Sequence, residues 1–267
     1  MTPFRVAEGD SPVILAQPHG GTFVPEGLAA RLNSTGRALA DTDWHIDRLY
    51  EGLLPGATVV QATFHRYVID ANRGPDDASL YPGQNTTGLC PLTDFDGLPI
   101  WADGQAPGAD EIADRRAAFH APYHAALRAQ IDRVKARHGV AVVYDCHSIR
   151  SVIPFLFSGE LPVWNIGTNN GSTCAALVCD ALVAPCTASG APTVLNGRFK
   201  GGWTTRHYGR PETGVPAIQM ETAQRAYLAT ATAPFAVDPP RAAVARATLS
   251  RVLENLDTLA RSGALNP

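Results

Sequence analysis

Two histidines, each closing a short apolar run, are the residues around which chemistry can be built. Val13-Ile14-Leu15-Ala16 leads into Gln17-Pro18-His19-Gly20-Gly21, and Val140-Ala141-Val142-Val143 leads into Tyr144-Asp145-Cys146-His147-Ser148. Short β-branched runs of this kind read as buried strands, and an open α/β sheet binds ligands beyond the carboxyl ends of its strands. One histidine at a strand end usually does no more than hydrogen-bond. Two, delivered to the same edge from distant parts of the chain, suit one divalent metal ion. Zinc is preferred, because its catalytic sites take three imidazole or carboxylate ligands and keep a fourth position open.

The third ligand should be a carboxylate. Asp41, Asp43, Asp145 and Glu26 are available, and Asp43 is favoured because it follows the first strand closely and can point back to its end. One of Asp41 and Asp43 is expected only to cap the next helix. Asp145 lies two residues from His147, so on a strand both face the same way, as ligand or supporting partner. Glu221 ends the run Ala217-Ile218-Gln219-Met220-Glu221 and is the candidate general base for a metal-activated water. Arg66, Asn72, Arg73, Arg150, Arg198, Lys200 and Arg206 follow strand-like or Gly-rich segments. Arginine grips a carboxylate through two parallel hydrogen bonds, so this set suits an anionic substrate, although any one of them alone is an ordinary surface charge. His120 and His124 have helical metal-ligand spacing, but Pro122 between them disturbs it. Nucleophilic alternatives are weak: no Gly-x-Ser-x-Gly elbow occurs, and Cys146 and His147, as strand neighbours, face opposite ways.

The elements that must position these groups alternate between strand and helix. Strands are expected over 13–16, 58–62, 67–70, 140–143, 164–167, 192–195 and 217–221, and helices over 44–54, 110–137, 172–182 and 241–259. Ser172 and Asp41 or Thr42 serve as caps, and His138-Gly139 is a stop. The pattern implies one α/β domain over 1–267, with a mainly parallel or mixed sheet covered by helices on both faces. From 74 to 108 Gly, Pro, Asp and Thr dominate. A loop this long in a compact domain is usually functional, and Tyr81, Leu89, Phe95, Ile100 and Trp101 make it a packed wall for a site.

Composition narrows the partners. The 267 residues carry a formal charge of −3 and are 45% hydrophobic, enough for a sizeable core and no electrostatic case for nucleic acid or an anionic membrane. No apolar run is long enough to span a bilayer and the N-terminus lacks a signal-peptide build, so a cytoplasmic location is expected. The five cysteines form no CxxC pair and read as free, mostly buried thiols.

Several of these segments together carry a resemblance. Pro18-His19-Gly20-Gly21, Asp41-Thr42-Asp43-Trp44-His45, Arg66-Tyr67-Val68-Ile69-Asp70-Ala71-Asn72-Arg73, Thr86-Thr87-Gly88-Leu89, Asp145-Cys146-His147-Ser148-Ile149-Arg150, Asn196-Gly197-Arg198-Phe199-Lys200-Gly201-Gly202 and Thr205-Arg206-His207-Tyr208-Gly209 resemble, in order, the N-formylglutamate amidohydrolase (deformylase) family. The resemblance spans nearly the whole chain. It implies hydrolysis of N-formyl-L-glutamate to formate and L-glutamate, the last step of one route of histidine degradation, on a fold similar to zinc carboxypeptidases.

That comparison further implies His19 and His147 as metal ligands and Glu221 as base. Asn72 and Arg73 would hold a substrate carboxylate, Arg66 would aid them or the oxyanion, and Thr87 would join the substrate-binding set with Arg150, Arg198 and Arg206. The zinc carboxypeptidases carry a glutamate three residues after their first histidine. Here that position is Thr22, so the third ligand must come from elsewhere. Two rival functions remain: deacylation of another N-acyl amino acid or small peptide, and metal-free binding of amino-acid derivatives without catalysis. The expected partner is a small anionic substrate. A homo-oligomer is left open.

Overall fold

The computed structural model describes residues 2–266. Seven strands form one mixed sheet in the order β1-β3-β2-β4-β7-β5-β6. They are β1 (Phe4–Ala7), β2 (Val13–Gln17), β3 (Thr58–Ala62), β4 (Val142–Ile149), β5 (Trp164–Gly167), β6 (Thr193–Leu195) and β7 (Ala217–Ala223). The four central strands β3, β2, β4 and β7 are mutually parallel, while β1 and β5 run antiparallel to their neighbours β3 and β7. β2 and β4 are buried along their whole length, which is why their apolar stretches run on without alternation.

Eight α-helices complete the described chain: α1 (Glu26–Ala29), α2 (Ser34–Arg37), α3 (Ile46–Tyr50), α4 (Ala109–Arg115), α5 (Ala121–His138), α6 (Ala176–Ala188), α7 (Trp203–Tyr208) and α8 (Pro239–Arg261). They cover both faces. Leu15, Tyr144, Cys146 and Met220 pack with Leu49 of α3, Leu182 of α6 and Leu249 of α8. On the other face Ile14, Ala16, Val143 and Ala217 meet Tyr123, Leu127, Ile131 and Val134 of α5. No described helix is long and apolar enough to cross a membrane.

The departures from the sequence reading have local causes. The strand expected over 140–143 instead runs from Val142 to Ile149, so Asp145, Cys146, His147 and Ser148 lie inside it. They stay extended because β7 pairs with β4 through Ile149 opposite Ala223, which satisfies the backbone of even these polar residues. Residues 67–70 are not a strand. His65 captures the backbone N–H of Tyr67 on its ring (3.1 Å) and that of Val68 on its carbonyl (2.9 Å), folding the segment into a turn. The helix over 44–54 shrinks to α3, which begins after His45 in a left-handed conformation (φ 59°), so neither Asp41 nor Thr42 caps it. Ser172 does not cap α6, whose N-cap is Ala175.

The long helix of 110–137 is present as α4 and α5, joined by a π turn over Arg116–His120. Pro122 has no N–H for an α-type bond, and the wider turn before it absorbs the break without splitting the rod. Gly139 closes it with φ 78°, the left-handed stop that the His138-Gly139 pair signals. No regular element lies between β3 and α4 except isolated bridges, yet Leu89, Phe95, Ile100 and Trp101 are buried there. All five cysteines are free and buried.

Candidate active site

Three adjacent parallel strands bring the chemistry together at their carboxyl ends. β2 pairs with β4 up to Ala16 opposite Asp145, and His19 lies just beyond β2. His147 sits on β4 directly opposite Glu221 of β7. Asp43 arrives from the loop before α3, fastened by its backbone N–H to the His19 carbonyl at 3.1 Å. Thus the two imidazoles, 128 residues apart, approach to 3.2 Å between their Nδ1 atoms. Asp43 Oδ2 stands 3.3 Å from Nδ1 of His147 and 4.0 Å from Nδ1 of His19.

The opposite nitrogens explain why the Nδ1 atoms face inward. His19 Nε2 lies 2.6 Å from Asp70 Oδ1, and His147 Nε2 lies 3.0 Å from Asp145 Oδ1. An ionised Asp70 only accepts, so His19 Nε2 carries the proton and its Nδ1 presents a lone pair, while His147 Nε2 also meets the Asn72 amide at 3.0 Å. His19, Asp43 and His147 offer ligand atoms all within 4.8 Å of one another, every one buried. Two imidazoles and one carboxylate, each ring backed by a second carboxylate, suit a divalent cation of the zinc type.

The electrostatics are those of a dense buried cluster. Burial raises the Asp43 carboxyl, but the Arg66 guanidinium, 2.6 Å away, and His147 bring it below its ordinary value. Burial depresses His19, assisted by Arg66. For His147, burial opposes the charge, yet the carboxylates of Asp145, Asp43 and Glu221 raise it well above the usual imidazole range. Glu221 is pushed up to about 8, first by burial and then by Asp43 and Asp145, with His147 and Arg66 pulling the other way. A carboxyl poised near neutrality in a cleft is what a proton-transfer group requires.

His19, His147 and Glu221 line a cleft of about 580 Å³ that is open to solvent. Arg66, Asn72, Arg73, Thr87, Arg198 and Glu221 line it. Arg150 and Arg206 do not: Arg150 pairs with Asp96 at 2.9 Å, and Arg206 spends its donors on the Gly201 and Leu80 carbonyls. Among the other carboxylates, Asp41 turns away to Tyr67, Asp145 serves the far nitrogen of His147, and Glu26 is exposed. Thr22 is also exposed.

A model of the N-formylglutamate amidohydrolase family matches residues 11–228. The chain belongs to that family. It is 45% identical over 250 residues to the N-formylglutamate deformylase of Pseudomonas aeruginosa, covering 93% of each protein. To the deformylase of Pseudomonas putida it is 42% identical over 251 residues, again covering 93% of each. Its fold is similar to the crystal structure of N-formylglutamate amidohydrolase from Ralstonia eutropha JMP134, with TM-score 0.82 and 24% identity, covering 98% of this chain and 100% of that one. A gene product of Agrobacterium tumefaciens shares the fold at TM-score 0.73 and 20% identity, covering 97% and 96%.

In this member of the N-formylglutamate amidohydrolase family several positions have roles that spacing did not suggest. Asp70, expected only as a strand end, orients His19. Gln219 bridges the Gly202 N–H (2.6 Å) to Glu221 Oε2 (3.2 Å) and so holds the Glu221 carboxyl. The alternation of β7 places both side chains on one face and could have revealed it. The Asn72 amide is engaged internally: its Oδ1 accepts from the Thr204 N–H (2.8 Å), and its Nδ2 donates to Asp145 (3.4 Å). His120 and His124 bond the carbonyls of Arg73 (2.9 Å) and Ala71 (2.8 Å), pinning that segment and ligating nothing together. Gly21 approaches the backbone of Thr63 and Phe64 closely.

Proposed function

We propose that this chain hydrolyses N-formyl-L-glutamate to formate and L-glutamate, with one divalent cation, preferably zinc, held by His19, Asp43 and His147. The observation that carries this reading is the convergence of the two Nδ1 atoms and Asp43 Oδ2, with both histidines lining an arginine-bearing cleft beside a carboxyl held near neutrality. When bound, the cation supplies Lewis acidity toward the formyl carbonyl and makes water more acidic. Glu221 accepts the proton of the attacking water at its carboxylate and passes it to the departing amine nitrogen. Gln219 fixes that carboxylate by donating to Oε2. Arg66 Nε is buried without a hydrogen-bond partner in a residue that lines the cleft, a donor in reserve for charge developing on the carbonyl oxygen. Arg73 is set by the Thr87 carbonyl (2.8 Å) and Thr86 hydroxyl (3.1 Å) to hold the α-carboxylate.

Formate release from N-formyl-, N-acetyl- and N-formimino-L-glutamate, measured beside metal analysis, tests the reading. Turnover confined to the formyl compound by metal-loaded protein is expected. Faster turnover of another acyl group would make the chain a different deacylase. Tight binding of N-formylglutamate with no formate released would make it a binding protein.

A further inference from the structure

The cleft contains three arginines, and their charges are not equivalently used. Arg66 is neutralised by Asp43 at 2.6 Å. Arg73 has only Asp70 at 4.0 Å, a carboxylate already given to His19. Arg198 has no carboxylate within 4.0 Å among the described residues.

Arg198 is nevertheless fixed in place. Its Nε donates to the Leu156 carbonyl (3.0 Å) and its Nη2 to the Asn85 carbonyl (2.9 Å). Its guanidinium carbon stands 5.3 Å from the rings of both Tyr81 and Phe199. Tyr81 is in turn tied down, donating to the Gly201 carbonyl (3.0 Å) and accepting from the Lys200 N–H (3.1 Å), with Arg206 at 5.0 Å over the same ring. Nη1 of Arg198 donates to nothing described. Burial and the neighbouring charge of Arg73 both work against its cationic form. A protein that holds two partly buried guanidiniums in one cleft with so little compensation has left room for two anionic groups.

Resting on the deformylase reading above, we infer that Arg198 is the residue that reads the substrate's side-chain carboxylate, and so selects N-formyl dicarboxylic amino acids over those with neutral side chains. Arg73 takes the α-carboxylate, which every N-formyl amino acid has. Arg198 takes the one that only glutamate and its close analogues add. A fixed guanidinium favours a carboxylate over a neutral amide because only the carboxylate offers a negative charge and two acceptor oxygens.

The test compares kcat/KM for N-formyl-L-glutamate with that for N-formyl-L-glutamine, its nearly isosteric neutral counterpart, in the metal-loaded enzyme. The wild type should favour the glutamate compound strongly. In Arg198→Gln that ratio should fall by about 10–100-fold, chiefly through KM, and Arg198→Lys should restore part of it. Arg73→Gln should depress both substrates together and keep the ratio within a few-fold. A ratio left intact in Arg198→Gln, or one collapsing equally in Arg73→Gln, overturns the assignment while leaving the deformylase reading standing. If Arg198→Gln does not fold, the lysine variant decides: a ratio equal to that of the wild type with unchanged KM counts against the inference. Absence of wild-type turnover on N-formylglutamate would remove the reading and this inference together.

Discussion

At the scale of single residues, the site is a set of carboxylates given different tasks by their surroundings. Asp70 holds the His19 ring proton, Asp145 lies 3.0 Å from the His147 ring, Asp43 is shared between Arg66 and the two histidines, and Glu221 is left uncompensated enough to sit at about 8. Replacing Glu221 by Gln keeps the shape and removes the proton acceptor. Formate release by Glu221→Gln should therefore fall about 10²–10⁴-fold with bound metal unchanged, and loss of the metal in that variant would mean the residue is a ligand. Asp41 provides a pH-dependent prediction. Burial pushes it from an ordinary 3.8 up to about 6, against Arg66 and the Tyr67 hydroxyl. The folded protein thus favours protonated Asp41, so its contribution is complete below pH 4 and lost as pH rises through about 6. Asn at position 41 retains an oxygen for Tyr67 and the Phe95 N–H. Asp41→Asn should therefore be about 1–3 kcal/mol more stable than the wild type at pH 8, with the gain vanishing near pH 4 in urea titrations.

At the scale of elements, the strand ends and the segments that clamp them decide the geometry. His19 is set by the turn after β2, where the Phe23 N–H bonds the Thr63 carbonyl (3.1 Å) and Gly21 lies against the same backbone. A Cβ on Gly21 would stand 2.5 Å from the Phe64 carbonyl oxygen and 2.6 Å from that of Thr63, atoms that cannot swing aside. Gly21→Ala should cost about 1–3 kcal/mol in the denaturation midpoint and lower formate release, since relief must move the chain that carries His19. Wild-type values on both measures would show that the turn has slack.

At the scale of the whole molecule, the sheet is a rigid frame whose parallel centre holds buried negative charge at one edge. Asp43, Asp70, Asp145 and Glu221 are all buried there, with the Arg66 guanidinium buried among them. A cation bound only by the folded state adds stability by mass action, about 2.7 kcal/mol at a hundred times its Kd. Dialysis against a chelator should abolish formate release and lower Tm by roughly 5–10 °C for a chain of this size, and added zinc should reverse both. Activity and Tm indifferent to chelator would dismiss the metal.

What the sequence determined by itself was local in character. The apolar run at 13–16 announces a buried strand because burial on both faces demands continuous hydrophobicity, and the His138-Gly139 stop follows from backbone sterics. The order of the motifs revealed the family, and with it His19, His147 and Glu221. Tertiary structure alone brought Asp43, and not Asp41, beside both histidines, since the two carboxylates lie close in the chain and differ in what lies opposite each. It likewise separated Arg73 and Arg198, which line the cleft, from Arg150 and Arg206, which do not. A charge's partner is a matter of distance through space, and no pattern along one chain encodes that distance.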